Sequence, residues 1–541
     1  MHLRKSTYAI ISALLLSAHS LTGAQTHDPK SASPLSLLAA PKNPIGYYEK
    51  KVRVKSLRER LERGEKIDWA EAERLLEELT RDYPRDGENW HLLGQVKQVL
   101  KKHDEAAAAF RKADSYAILS LVNVYQAINL LAAGNKRAAL DSLHKLVFER
   151  RIPYREILYE VDDFASLKNE AEFLEIAGRP DTTGWSRDYG WTRDIDYLVA
   201  EVKRVNPDYH DSALPAGFVR IQEELKSKVS ALSDEELLVG MNRMLATLRQ
   251  GHTELRGVKD SRIPARYLPM QFWAFPDGLY IVGAAPEHQR LAGYRLVAIE
   301  NIPAEEALRR INGLQSIDGD MEYLVGGVTM LRSLHFLKGL GITSSGDAAT
   351  LTLRSPTGRV EKVKLASAPA AVGSLKLPPA PNVQAPLFLS KVDQMHWELP
   401  LPEYDALYVQ MNNILPDKDE TVPQFGKRLR TELAQRNPKN LILDLRNNTG
   451  GATQSYPEFL RTVVGFSQLP DKKVYVLIGR NTYSAAGNLT TDLERLADPV
   501  FVGEPTSECC NFYGDSSTFT LPYSKIRGEV SAVKWNLSSD A

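Results

Sequence analysis

From about residue 45 to 178 the apolar positions recur with helical spacing and form a repeat. Ala72, Leu76 and Leu79, closed by Pro84, are followed by Trp90, Leu93, Gly94, Ala106, Phe110 and Ala113. Ala72 and Ala106 are 34 residues apart, and Leu130, Gly134, Ala138 and Ala139 continue the phase. Small residues at such positions let paired helices pack closely. Trp191, Ile195, Leu198 and Val202 then share one face, and an amphipathic helix is expected from Glu235 to Leu248. The period changes after that. Leu268–Trp273 and Gly278–Val282 alternate as strands, and Leu291–Ile299 with Ile302–Pro303 makes a β turn unit. Ala368 to Pro386 carries five prolines and reads as a linker. Beyond it, Ala406–Met411, Asn440–Arg446 and Lys473–Ile478 are apolar, β-branched runs of the kind that form buried strands. Ala485, Leu489, Leu493 and Leu496 lie on one helical face. Phe519–Ser524 and Val530–Trp535 read as further strands, with no obvious closing element before Ala541.

The N-terminus changes the picture of where the chain works. Met1-His2-Leu3-Arg4-Lys5, the apolar run Tyr8–Ala18 and Thr22-Gly23-Ala24 make a secretory signal peptide with cleavage after Ala24. Residues 25–44 read as a flexible lead-in. The remaining 541 − 24 = 517 residues are too many for one core and imply several domains. No later run is long enough to span a membrane. The expected location is periplasmic or secreted. Lys plus Arg and Asp plus Glu both number 68, which gives no electrostatic case for nucleic acid or an anionic membrane. Two adjacent cysteines, Cys509 and Cys510, make no disulfide framework. They are either two thiols in a loop or a strained vicinal disulfide.

Candidate chemistry lies in three turns. Asn481-Thr482-Tyr483-Ser484-Ala485-Ala486-Gly487 puts a serine between a strand and a helix, where free N–H groups and the positive dipole end favour a nucleophile. An N-cap role for Ser484 is the alternative. Asn447-Asn448-Thr449-Gly450-Gly451 is a turn whose bare amides suit an oxyanion. Val502-Gly503-Glu504-Pro505-Thr506 follows.

Together, Leu443–Gly451, Tyr483–Gly487 and Val502–Thr506 resemble the core of the tail-specific (C-terminal processing) serine peptidase family, over roughly Trp185 to the C-terminus. The resemblance implies Ser484 as nucleophile, and Gly450 or Gly451 with the Ala485 amide as oxyanion hole. Many members use a lysine soon after the third segment, but this chain has none before Lys525. Leu248-Arg249-Gln250-Gly251-His252-Thr253 instead resembles the "GHT" motif of a histidine-using, tricorn-like branch, which makes His252 the implied base. The group orienting the imidazole stays open among Glu504, Asp515, Glu529 and Asp540, with Glu504 as the working choice. The helical repeat resembles tetratricopeptide units, whose surface would take a protein partner. The β unit resembles a PDZ-like module.

The expected architecture is multidomain. A tetratricopeptide-like helical region (45–178) precedes an α+β peptidase. That part comprises a helical subdomain (185–262) carrying His252, a PDZ-like β module (263–367), the linker (368–386) and a ClpP/crotonase-like α/β catalytic core (387–541). The expected function is an exported serine peptidase acting on protein or peptide substrates, with no metal or organic cofactor. The alternatives are an inactive ligand-binding protein or a tetratricopeptide scaffold on the same fold.

Overall fold

The computed structural model describes residues 44–62, 67–116, 121–257, 260–368, 385–508 and 510–539. The signal peptide, nearly all of the lead-in, most of the linker, Cys509 and Asp540 lie outside the described residues. The chain forms two compact units, Met1–Asp181 and Thr182–Ala541. Among the described residues no helix is long and apolar enough to cross a membrane.

In the first unit, six helices follow one another: α1 (Pro44–Glu62), α2 (Trp69–Asp82), α3 (Gly87–Val99), α4 (His103–Tyr116), α5 (Val122–Ala132) and α6 (Lys136–His144). Side-chain caps start several of them. Asp68 accepts the N–H groups of Ala70 and Glu71, Asp86 that of Asn89, and Asn135 that of Ala138. The repeat phase has a packing basis. Ala72 and Ala106 are both buried, and a Cβ at Gly94 would lie 2.7 Å from the Phe110 ring. Glycine there lets α3 lie close against α4.

The second unit begins with α7 (Arg187–Val205), α8 (Ala216–Lys228) and α9 (Asp234–Ala246). A capping box between Ser233 and Glu236 starts α9. A short strand β1 (Glu254–Arg256) follows. The β module is antiparallel, ordered β2-β3-β4-β6-β7, from β2 (Met270–Phe275), β3 (Gly278–Ala284), β4 (Arg295–Ile299), β5 (Ile302–Pro303), β6 (Ala348–Arg354) and β7 (Val360–Ala366). β5 pairs with β4, and α10 (Ala304–Asn312) follows it.

Next comes a five-stranded sheet with strands in sequence order. β8 (His396–Leu401) runs antiparallel beside β9 (Ala406–Met411), and β9, β10 (Asn440–Asp444), β11 (Lys473–Ile478) and β12 (Val500–Gly503) are parallel. Helices α11 (Val422–Arg436), α12 (Pro457–Ser467) and α13 (Ala485–Ala497) make the crossovers. Every residue of β9 is buried, as expected of an inner parallel strand. The edge strand β8 has no counterpart in the sequence expectations. Its polar His396 and Glu398 and its Pro400 do not announce a strand.

The last elements are β13 (Asn511–Gly514), β14 (Ser517–Thr520), β15 (Arg527–Val530) and β16 (Val533–Asn536). β15 pairs with β1 and β14, and β13 with β16. Phe519, Leu521, Tyr523, Ile526 and Val530 share one hydrophobic core with α7–α9 and the β module. The sheet β9–β12 has its own core. The expected division at 387 therefore does not follow the packing. The chain leaves the parallel sheet after β12 and returns to complete the earlier core.

Asp194 of α7 fixes that return by accepting the amides of Tyr523 and Ser524, both at 2.8 Å. A Cβ on Gly190, one turn earlier, would overlap the Tyr523 ring. Gly190→Ala is expected to destabilise this unit by about 1–3 kcal/mol despite the better helix propensity of alanine. Urea unfolding of wild type and variant measures the difference.

Candidate active site

Parallel strands put their C-terminal ends on one edge of a sheet, where open α/β folds gather functional loops. The turns after β10, β11 and β12 carry the three motif segments, so all three meet at that edge. Hydrogen bonds join them: the Tyr483 amide donates to Asn448 O (3.1 Å), Thr482 Oγ1 to Leu445 O (2.9 Å) and the Ser507 amide to Thr482 O (3.1 Å).

Ser484 occupies the N-cap position of α13, but it is not an ordinary cap. Its backbone sits at φ 57°, ψ −126°, outside the extended region of normal N-caps, and its side chain makes no capping bond. The residue is partly exposed. Its amide donates to Glu508 Oε1. Gly450, at φ 104°, presses against it. A Cβ there would lie 2.7 Å from Ser484 Cβ and 3.0 Å from the Ala485 nitrogen.

The three expected oxyanion donors are not equivalent. The Gly450 amide already donates to Asn448 Oδ1 at 3.0 Å. The Gly451 and Ala485 amides have no such acceptor among the described residues, Ala485 because it opens a helix.

His252 stands just before β1, with φ 54°. Almost every backbone group around it is tied down. The Gln250 amide donates to Ser316 Oγ (2.8 Å), the Gly251 amide to Asp318 Oδ2 (2.8 Å) and the His252 amide to Tyr483 Oη (3.2 Å). Ser516 Oγ donates to His252 O and Ser531 Oγ to Gly251 O. A Cβ at Gly251 would collide with Asp318, which is why the motif needs glycine there. The imidazole lies flat on Tyr483, with centroids 4.4 Å apart and planes at 14°. Its Nδ1 is 2.8 Å from Tyr483 Oη. Tyr483 precedes Ser484, so one residue links the candidate base to the candidate nucleophile. Burial lowers the His252 pKa to about 4, against an opposing pull from the Glu529 charge.

The carboxylate beside the imidazole is Glu508, not Glu504. Glu504 is held by Arg480 at 2.6 and 2.8 Å, with nearly half its side chain exposed. Glu529 faces Glu254 across the β1–β15 pair and bonds Arg256. Glu508 is buried, with Oε2 3.9 Å from His252 Nδ1. Burial raises its pKa well above the usual range, and the Glu322 and Asp318 charges add to the shift. Burial likewise raises Asp318 to about 6 and Glu322 to about 8. Tyr483 is raised by burial and by the Glu508 charge. Sequence reading missed Glu508, Tyr483, Asp318 and Glu322. For Glu508 a signal existed: it stands in the short stretch searched for a lysine.

No family model matches the chain. Solved structures similar to it include mature CPAF complexed with lactacystin, at 14% identity over 64% of this chain and 90% of that one, TM-score 0.46. The photosystem II D1 C-terminal processing protease is 14% identical over 64% of this chain and 88% of that one, TM-score 0.32. Tricorn protease is 10% identical over 64% of this chain and 32% of that one, TM-score 0.28.

Gly450→Ala is expected to push Ser484 out of position and to strain a backbone at φ 104°. Reaction of Ser484 with a fluorophosphonate should fall by about 100-fold or more, the scale of losing an oxyanion-hole contact, while the circular dichroism spectrum stays that of wild type.

Proposed function

We propose that the protein is an exported serine peptidase that cleaves peptide bonds through Ser484 and His252. The observation that carries the reading is the state of Ser484. Its hydroxyl is not spent on capping, its backbone is left-handed, and its neighbour Tyr483 lies against the imidazole. A serine placed only to start a helix needs none of this.

The chemistry follows from the atoms present. With the imidazole proton on Nδ1 and donated to Tyr483 Oη, Nε2 carries the lone pair. Nε2 takes the proton of Ser484 Oγ as the oxygen attacks the carbonyl carbon of the peptide. The resulting oxyanion is held by the Ala485 and Gly451 amides. Nε2 then gives the proton to the leaving amine, and water repeats the sequence on the acyl-enzyme. Glu508 holds the Ser484 amide and places its other carboxyl oxygen 3.9 Å from Nδ1. Export rests on the leader Met1–Ala24, and the tetratricopeptide-like unit is the surface for a protein partner.

A fluorophosphonate probe tests the reading. Labelling should vanish in Ser484→Ala and fall about 100-fold or more in His252→Ala, from the lower end of the range for a general base upward. An unlabelled, folded wild type would sink it and leave the carrier or scaffold alternatives.

The pH profile is a separate check. A lowered imidazole pKa keeps His252 neutral as pH falls through 6.5, and protonation sets in only near 4. Labelling should therefore hold to about pH 5 and decline below it. A decline centred near 6.5 would contradict the burial of the base.

A further inference from the structure

Next to His252 lie three buried carboxyl groups, of which the proposed reaction uses only the Glu508 oxygen that holds the Ser484 amide. Asp318 Oδ2 accepts the amides of Gly251 (2.8 Å) and Tyr513 (3.2 Å). Glu322 Oε1 accepts those of Asp318 (2.7 Å) and Gly319 (3.0 Å), and Glu508 Oε1 that of Ser484. Among the described residues, no lysine or arginine forms an ion pair with any of the three. Lys534, the cation felt by Asp318, is bound to Asp208. One atom remains unsatisfied. Glu508 Oε2 has no hydrogen-bond partner, although the residue is only 1% exposed. At 3.9 Å from His252 Nδ1 it is too far for a hydrogen bond and aims at the imidazole. Buried carboxylates are normally paired or bound to metal.

The donor atoms of His252, Asp318 and Glu508 lie within 4.8 Å of one another. We infer that these three side chains form a binding site for a zinc-class divalent cation, with Glu322 supporting Asp318 from behind. An imidazole among the ligands selects zinc over magnesium or calcium, which prefer all-oxygen sets. Bonds of about 2 Å draw the three ligands inward, and three protein ligands leave a fourth position for water. The Tyr483 hydroxyl gives up Nδ1 to the ion.

The consequence rests on the peptidase reading. A cation on Nδ1 displaces the proton held there, and the neutral ring then carries its one proton on Nε2, which has no lone pair left to take the serine proton. The metal-bound chain is then latent, and removal of the ion releases the base. The second acidic group, Glu73, Glu77 and Glu105, is different because Lys97 already pairs with all three.

The test uses the full chain, stripped with a chelator and titrated calorimetrically with Zn²⁺, with Mg²⁺ and Ca²⁺ as controls. One zinc should bind per chain. Its affinity should fall by roughly 10- to 100-fold or more in Glu508→Gln and in Asp318→Asn, and stay unchanged in Glu77→Gln. Thermal melting of the metal-free variants checks folding. If Glu508→Gln does not fold, Asp318→Asn carries the test, since it keeps an oxygen for the Gly251 and Tyr513 amides. Absence of zinc uptake, or uptake that Asp318→Asn leaves intact, overturns the site. Fluorophosphonate labelling with and without zinc separates the two claims. Zinc binding that leaves labelling unchanged overturns the latency. A chain that binds zinc but never labels keeps the site and loses the peptidase reading.

Discussion

Ser484 is held in a backbone conformation that costs an L-residue about 1–3 kcal/mol, and the rest of the site is arranged around holding it. Three contacts do so. The Glu508 carboxylate takes its amide, the bare Cα of Gly450 packs against its Cβ, and the Tyr483 amide is bonded to Asn448 O. They come from the turns after β10 and β12, at the same sheet edge as the turn that carries Ser484. Removing any one lets the chain relax toward an ordinary N-cap, in which the hydroxyl would turn back to its own helix. The parallel sheet supplies the rigid base that keeps three turns in register. Strain at one residue is thus stored in the packing of a whole layer.

Much of this was legible in the sequence because parallel strands are buried on both faces. β9, β10 and β11 read as unbroken apolar runs, and the glycines and small residues after them marked the turns. Ser484, His252, Gly450 and Gly451 stand out through types that a bland turn does not need. The rest was hidden for physical reasons. Glu504 was the conspicuous acid because it sits inside a motif, but its exposed carboxylate is satisfied by Arg480. Glu508 lies four residues on, in a loop with no period, and only burial distinguishes it. Asp318 and Glu322 are about seventy residues from His252 in the chain. Local pattern carries no information about a contact made across two cores.

Electrostatics divides the site into two faces. On the Ser484 side are helix and turn amides, positive at their hydrogens and suited to a developing oxyanion. Adjoining the imidazole are the Asp318 and Glu508 carboxyls, with Glu322 behind Asp318, and Glu508 Oε2 has no partner. His252 lies between them, flat against Tyr483. Burial opposes charge on the ring against the pull of Glu529, so the imidazole rests neutral. A surface histidine would have neither constraint. The same gradient makes the acid face attractive to any cation small enough to enter.

The route of the chain sets when such a site can exist. His252 reaches its place through β1, which pairs with β15 more than 270 residues later, and Ser531 and Thr253 lock the junction from both sides. Ser484 reaches its own place through the parallel sheet, which has a separate core. Between them the chain leaves that sheet after β12, and β14 and β15 join the earlier core. Closing so long a loop costs conformational entropy before any contact repays it. A partly folded chain can therefore hold the serine turn, or the histidine loop, without holding both.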